Sequence, residues 1–468
     1  MPVPVLTTEE MREWERATWA TGQTEAKVIA RVGEILAEKI LSLTGRGEKI
    51  LILAGKGHNG DDARAAQKHL EGREKILLNV TDPKKALEEW PALPAAHLIV
   101  DGLFGIGLNR ALDADWKRFI ERINRSNIPV LAVDVPSGLN AATGLPEGVA
   151  VRAEITLTLG APKSGLILLE AAPFVGRLEV ASEIGLIDQP FSAHERQWIL
   201  ARDFEQFPPH RKATGHKGDF GHVAIVAGSV GYHGAGVLAA RGALRARPGL
   251  VTLFAQQNIY APVAAQLQAA MVHPWRAGKK LPDSTTAILF GPGLAADDLS
   301  PDFKSEMVHL WEELPCPVVV DASGLSWLPK RKKKHSSLRV ITPHPGEAAR
   351  MLGTATEKIQ SDRTAAVREL SRRFGDCHVV LKGHQTLIGA SKGPIMINGS
   401  GNPGLAQGGS GDVLAGYLGG LLAQPILQKD PAKTISYAIW QHGAAADSLQ
   451  GQFKNWTIAE LVGRLGAV

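Results

Sequence analysis

Residues 399–424 read GSGNPGLAQGGSGDVLAGYLGGLLAQ, and Asp412 stands in that stretch between a crowd of glycines and an apolar run that meets no proline until Pro425. The pattern predicts a tight turn feeding a helix, with Asp412 in the first turn. Gly408, Gly409 and Gly411 permit positive φ and close approach, so several amides at a helix N-terminus can face one anion. A phosphate suits that place. Asp412 has two readings on local sequence: it complements the helix dipole, or it accepts a proton from a hydroxyl lying beside the phosphate.

A second set of chemistry-bearing residues lies in the first half. An apolar strand, Ile50 to Ala54, runs into GKGHNGDDA and a helix from about Asp62. Gly55, Gly57 and Gly60 satisfy GxGxxG, which makes a nicotinamide-dependent dehydrogenase a legitimate alternative. Asp61 and Asp62 argue against it, because they place acid where a pyrophosphate would sit. The next strand, HLIV, stops at Asp101 and opens GLFGIGLNRAL, where backbone donors and Arg110 suit a phosphate. A third, PVLAV, ends in DVPSGLNAATG with Asp134 and Ser137. Asn59, Asp62, Asp101, Asp134 and Ser137 therefore sit at successive strand ends of an open α/β sheet, and oxygen-bearing side chains so gathered match a hard cation.

The elements that position these residues alternate as strand, glycine turn and helix, the pattern of a mainly parallel sheet covered on both faces. At 468 residues, 44% of them hydrophobic, two domains are expected. Their bounds are placed at 1–200 and 201–468, with a linker between Gly185 and His210 and a leading helix over residues 8–43. The second half opens with a buried strand, His222 to Ala227, and a helix from about Ala235. Further strands end in GPGL, DASGL, TPHPGE and LKGHQT. His344 lies between two prolines, so its imidazole is placed with little entropy left to lose. Lys382 ends a strand and can balance phosphate charge or simply be exposed.

Composition excludes several classes. Cys316 and Cys377 stand far apart with no metal-type spacing, which points away from a disulfide framework or structural zinc and toward a reducing compartment, the cytoplasm. No apolar stretch reads as an export signal or a membrane span. The net charge of +5 matches the run of five cations Lys330–Lys334, so the basicity is local. A solvated loop is expected there, since no nucleic-acid motif accompanies it.

The stretch GNPGLAQGGSGDVLAG resembles the signature of the ribokinase-like superfamily, in the form carried by ADP- or ATP-dependent NAD(P)H-hydrate dehydratases. The series GDFG, GYHGAG, GPGL, DASGL, TPHPGE, LKGHQT and GNPGLAQGGSGD extends the resemblance over about residues 211–420. It implies that Ala235, Gly293, His344 and Asp412 meet the hydrated dinucleotide, and that Lys382, Gly383, His384, Gln385, Thr386 and Gly411 meet the adenine nucleotide with its Mg2+. Asp412 then takes the hydroxyl proton while the amides of Gly409, Ser410 and Gly411 stabilise the transferring group.

The first half resembles the NAD(P)H-hydrate epimerase domain, although its turn reads GHNGDDA where that family usually has GNNGGDG. This resemblance implies K+ on Asn59, Asp101 and Ser137. It implies substrate contacts from His58, Asn59, Gly60, Asp61 and Asp62, and from the loop Gly105, Ile106, Gly107, Leu108, Asn109, Arg110 and Ala111. Asp134 is the expected acid or base. The resulting fold class is α/β with two domains, an N-terminal Rossmann-like three-layer domain and a C-terminal ribokinase-like one. The expected partners are hydrated NADH and NADPH, ADP or ATP, and further copies of the chain in a homo-oligomer. Two alternatives stay open: a small-molecule kinase of the vitamin-precursor type, and a first domain that only binds.

Overall fold

The sequence KILILA forms the strand Lys49–Ala54, and its alternate residues feed opposite faces of one sheet. Ile50 and Ile52 pack with Val28, Val32, Leu36 and Ile40 of the helix Glu25–Leu43. Leu51 and Leu53 pack on the other side with Phe119, Ile120 and Ile123 of the helix Ala114–Asn124. A strand buried on both faces needs apolar residues throughout, which is why this one does not alternate with polar positions. Helix, sheet and helix make three layers.

In the computed structural model, residues 2–90, 95–191, 194–276, 278–297, 299–331, 334–453 and 455–468 are described. They divide into two units, Pro2–His194 and Glu195–Val468. In the first unit the sheet order is Glu74–Asn79, Lys49–Ala54, Leu98–Gly102, Val130–Val133, Ile155–Leu159, Arg177–Ala181, and all pairings are parallel. The chain reverses its winding between Lys49–Ala54 and Leu98–Gly102, so a crevice opens beyond their carboxyl ends. The leading segment, expected as one helix, is two, Thr8–Ala20 and Glu25–Leu43. Gly22, at φ +86°, turns the chain between them. Thr7 caps the first through a reciprocal bond pair with Glu10.

In the second unit the strands run in the order Arg196–Trp198, Ile395–Asn398, Thr386–Gly389, His378–Leu381, Arg339–Ile341, Val318–Val320, Ala287–Phe290, His222–Val226, Leu250–Gln256, Met271–Trp275. The winding reverses between Ala287–Phe290 and His222–Val226. Only Thr386–Gly389 runs against its neighbours among the described strands of this unit. Arg196–Trp198 falls inside the stretch read from sequence as a linker; Trp198, Ile199 and Phe204 are buried, and this apolar anchoring makes it part of the sheet. The helix Ser410–Leu422 is buried from Val413 to Leu422, as a helix apolar on every side must be.

Of the basic run, Lys332 and Lys333 lie outside the described residues; Lys330 and Lys334 are exposed, and Arg331 meets Glu312 at 3.6 Å. Cys316 and Cys377 are free thiols. Among the described residues no helix is long and apolar enough to cross a membrane.

Candidate functional site

Asp412 is positioned by two helices in near-backbone contact. A Cβ on Gly416 would lie 1.9 Å from the carbonyl oxygen of Ala239, and one on Gly420 would lie 2.7 Å from that of Ala243. Both helices, His233–Arg245 and Ser410–Leu422, advance through this contact in steps of four in the same direction. One step back, the register sets Ala235 beside Asp412 at the two N-termini. Gly293 closes the same corner, since a Cβ there would meet Ala235 Cβ at 2.7 Å. Ser229, which the sequence reading passed over, fixes that turn: its Oγ donates to the Gly293 carbonyl (2.6 Å) and accepts from the amides of Ala295 and Ala296.

Gly409 takes φ +95°, which a side chain would resist, and the first intrahelical bond runs from Val413 N to Gly409 O at 3.1 Å. The amides of Gly411 and Asp412 stand ahead of it at the helix mouth. The Ser410 amide donates to Gln407 O at 3.3 Å, so the turn spends the donor that sequence assigned to phosphate. Behind the turn, His442 is buried with Nε2 3.2 Å from the Ser410 carbonyl. A carbonyl only accepts, so Nε2 carries the proton. Burial pushes this imidazole down to about 4, and it stays neutral.

Lys382 Nζ donates to Asp321 Oδ1 at 2.7 Å, and the Thr342 hydroxyl donates to the same oxygen at 2.7 Å. A Cβ on Gly411 would lie 3.5 Å from Lys382 Nζ and 3.8 Å from Asp321 Oδ2. The glycine turn, the lysine and a second acid are thus one cluster. Burial pushes the Asp412 carboxyl up to about 6, Asp321 adds to the rise and Lys382 opposes it. Burial also works against the Lys382 charge, but Asp321, Glu347 and Asp412 outweigh it and hold its pKa above the usual value. Asp321 was not singled out from sequence, though it ends a buried strand as Asp101 does.

Gly383, His384, Gln385 and Thr386 form the tight connection between strands His378–Leu381 and Thr386–Gly389. The largely buried Arg363 pins it, donating to the carbonyls of His384 (2.5 Å), Gln385 (3.2 Å) and Leu381 (3.3 Å). His344 caps the helix Pro345–Leu352: its Nδ1 accepts from the amides of Gly346 and Glu347, and Glu347 returns a bond to the His344 amide at 2.8 Å. The flanking prolines and this cap fix the imidazole.

In the first unit the crevice at the winding reversal is a cavity of about 800 Å³. His58, Asn59, Asp62, Asp134 and the whole loop Gly105, Ile106, Gly107, Leu108, Asn109, Arg110 and Ala111 line it. Gly60 and Asp61 are not among its walls. A Cβ on Gly60 would lie 2.1 Å from the Gly55 carbonyl, so this glycine serves the turn. Asp61 faces Arg64, Nη2 to Oδ1 2.7 Å, and Arg64 also donates to Gly55 O and Asn79 Oδ1. Its charge is therefore matched within the helix instead of standing against a bound phosphate.

Asp134 takes φ +64°, an uncommon conformation for a residue with a side chain. Its carboxylate pairs with Lys163, accepts from the Leu159 amide at 3.0 Å and from the Thr158 hydroxyl at 3.2 Å. Lys163, only 1% exposed, lines the cavity, as do Arg12 and Glu15 from the leading helix; none of the three was read from sequence as functional. Burial lifts the Asp62 carboxyl to about 8, with Asp134, Asp61 and Glu15 pushing the same way.

Asn59, Asp101 and Ser137 meet around the Phe104 peptide. Asn59 Nδ2 donates to Phe104 O at 2.8 Å, leaving Oδ1 as an oxygen donor to a cation. Ser137 Oγ accepts from Phe104 N at 2.9 Å and donates to Asp101 Oδ1 at 2.6 Å, while Ser137 N reaches Asp101 Oδ2 at 2.8 Å. Asp101 is wholly buried, and among the described residues it has no ion-pair partner. Burial raises its pKa to about 6 against the pull of the Ser137 and Leu103 bonds. A buried carboxylate with oxygen neighbours and no basic side chain fits a cation.

Two family models match: residues 223–463 match the one described as NAD(P)H-hydrate dehydratase, and residues 65–165 the one described as YjeF-related protein N-terminus. The bifunctional NAD(P)H-hydrate repair enzyme of Coxiella burnetii is 33% identical over 465 residues, 94% of this chain and 93% of the relative. Its namesake from Escherichia coli is 33% identical over 486 residues, 97% and 91%. Among solved structures, the Bacillus subtilis ADP/ATP-dependent NAD(P)H-hydrate dehydratase co-crystallized with ATP and Mg2+ matches at a TM-score of 0.50 and 31% identity, covering 55% of this chain and 92% of that one. A ribokinase-like superfamily protein from Enterococcus faecalis matches in fold at a TM-score of 0.51 and 23% identity, over 59% of this chain and 96% of that one. With the domain pair matched in order and the relatives matched nearly end to end, the chain belongs to the family of bifunctional NAD(P)H-hydrate repair enzymes.

Proposed function

We propose that the two units act in turn on NADH and NADPH whose nicotinamide ring has gained water. The first interconverts the R and S epimers at the hydrated carbon, and the second removes water from the S form at the expense of ADP or ATP. The observation that carries the second activity is the Asp412, Lys382 and Asp321 cluster at a glycine turn. Hydroxide leaves poorly, so the ring hydroxyl is first made into a phosphate ester. Asp412 accepts its proton as the oxygen attacks the terminal phosphorus of the nucleotide, and the shortened nucleotide departs. Phosphate then leaves the ring carbon with the C–O bonding electrons, the adjacent ring carbon gives up a proton to it, and the electrons of that C–H bond restore the double bond.

The amides of Gly411 and Asp412 and the Lys382 ammonium face the charge on the transferring group. Gly383, His384, Gln385 and Thr386 hold the nucleotide; Ala235, Gly293 and His344 hold the hydrated ring. Magnesium carried by the nucleotide would neutralise phosphate charge beside this cluster.

In the first unit Asn59, Asp101 and Ser137 would hold K+, which supplies positive charge beside the dinucleotide. Arg110 and the loop amides meet its phosphates. Asp134 moves the proton in epimer exchange, oriented by Lys163. Asp61 and Gly60 shape the turn under the substrate. A homo-oligomer working in the cytoplasm completes the proposal; the two free cysteines suit a reducing compartment.

The test is to give the purified chain mixed hydrate epimers, magnesium, and ADP or ATP, and to follow NADH absorbance. Complete recovery, faster than spontaneous exchange, is expected, and Asn59→Ala should arrest at the S fraction. A stable phosphorylated product with no NADH would replace this reading with a small-molecule kinase.

A further inference from the structure

At the end of the second sheet away from Lys382, a smaller cavity of about 200 Å³ opens beyond strands His222–Val226, Leu250–Gln256 and Met271–Trp275. Phe254, Trp275 and Phe303 wall it, Leu294 and Leu299 close one side, and Glu306 reaches in. Trp275 stands edge-on to both Phe254 and Phe303, ring centres 5.7 Å apart in each pair, so the rings hold one another in place. Trp275 Nε1 donates to Glu306 Oε2 at 3.1 Å and the Gly278 amide to Oε1 at 2.8 Å. A carboxylate offers about four acceptor sites, so two such bonds leave room for another N–H. Aromatic walls with one fixed acceptor select a flat ring that carries an amino group.

Strand order says whose ring it is. The nucleotide connection follows His378–Leu381, and the cluster with Asp412 spans from there to Asp321, after Val318–Val320. Gly293 and Ala235 come next, and the cavity adjoins them through Leu294, whose amide donates to Gly291 O at 3.1 Å. The cavity therefore lies on the side of the phosphoryl acceptor, beyond Gly293 and Ala235, with the nucleotide on the other side.

Resting on the dehydratase reading above, we infer that this cavity takes the adenine base of the hydrated dinucleotide, among Phe254, Trp275 and Phe303, with its exocyclic amine on Glu306. The dehydratase thereby recognises its substrate by the end remote from the damaged ring.

The test compares kcat/KM for the S hydrate of NADH with that for the S hydrate of reduced nicotinamide mononucleotide, which lacks adenine. Burying a base against aromatic side chains predicts a preference of roughly 10- to 100-fold for the dinucleotide in the unsubstituted chain. Trp275→Ala and Phe303→Leu should bring that ratio toward unity, mainly through KM. If both fail to fold, Glu306→Gln decides: it should lose about fivefold or more on NADH hydrate relative to its hypoxanthine analogue, which has no exocyclic amine. A wild-type ratio near unity, or ratios preserved in the folded variants, would overturn the inference while leaving the dehydratase reading intact. Failure of the unsubstituted chain to turn over either hydrate would instead sink that reading.

Discussion

Lys382 and Asp321 are 61 positions apart in sequence, yet Lys382 Nζ lies 2.7 Å from Asp321 Oδ1 because their strands are separated by only one other, Arg339–Ile341. The intervening strand contributes Thr342, whose hydroxyl bonds the same carboxylate oxygen. The lysine is therefore held as a fixed positive charge beside the Gly411 backbone. Asp321→Asn keeps the shape and removes the counter-charge, so the lysine loses its anchor. Nucleotide KM should rise roughly tenfold or more, about 1.4 kcal/mol, with a much smaller change in KM for the S hydrate. Steady-state kinetics with each substrate varied separately checks this.

The Asp412 carboxyl, raised to about 6 chiefly by burial, must be ionised to accept a proton. Protonation removes the base, so kcat/KM for dehydration should be flat above about pH 7 and fall about tenfold per pH unit below about 6. An acid limb centred near 4, the ordinary carboxyl value, would contradict the raised pKa of this carboxyl. The profile is to be measured at saturating nucleotide.

In the first unit, Lys163→Met removes the partner of a buried carboxylate. Epimer exchange, followed by NMR of the isolated R form, should fall while dehydration of the S form persists. Unfolding of that unit should cost less by about 3–5 kcal/mol, because Asp134 is left buried and unpaired. Equal loss of both activities would mean that the two sites are not separate.

Gly416→Ala places a Cβ 1.9 Å from the Ala239 carbonyl, and backbone cannot move aside as a flexible side chain can. The helices must separate, at a cost of about 1–3 kcal/mol or more. Because the same contact seats Asp412 beside Ala235, dehydratase kcat should drop with the melting temperature. Calorimetric unfolding and initial rates on one preparation read both.

What the sequence made legible were features confined to a single stretch. The glycine turn before Asp412 and the strand ends at Asp101, Asp134 and Ser137 each announce themselves within about a dozen residues, and the buried strands of a parallel sheet are continuous apolar runs. Residues that act through the fold gave no such sign. Lys163 follows a proline in GAPKSGL and meets Asp134 only after the strand Ile155–Leu159 is in place; Arg363 sits in a helix that looks like any charged surface helix. Asp61 read as a threat to a bound phosphate, yet Arg64, one turn along, cancels it. The strand Arg196–Trp198 was too short and too rich in charge around it to stand out from a linker.

In the proposed dehydration, one carboxylate at a phosphate turn converts a ring hydroxyl into a leaving group. The most direct test of that step is Asp412→Asn assayed for NADH recovery from the S hydrate with ADP or ATP and magnesium, beside nucleotide titration calorimetry of the same sample. Nucleotide affinity should stay within about threefold of the parent while recovery falls by at least 10²-fold, the loss typical of removing a general base. Recovery at the parental rate with nucleotide bound normally would remove Asp412 from the mechanism.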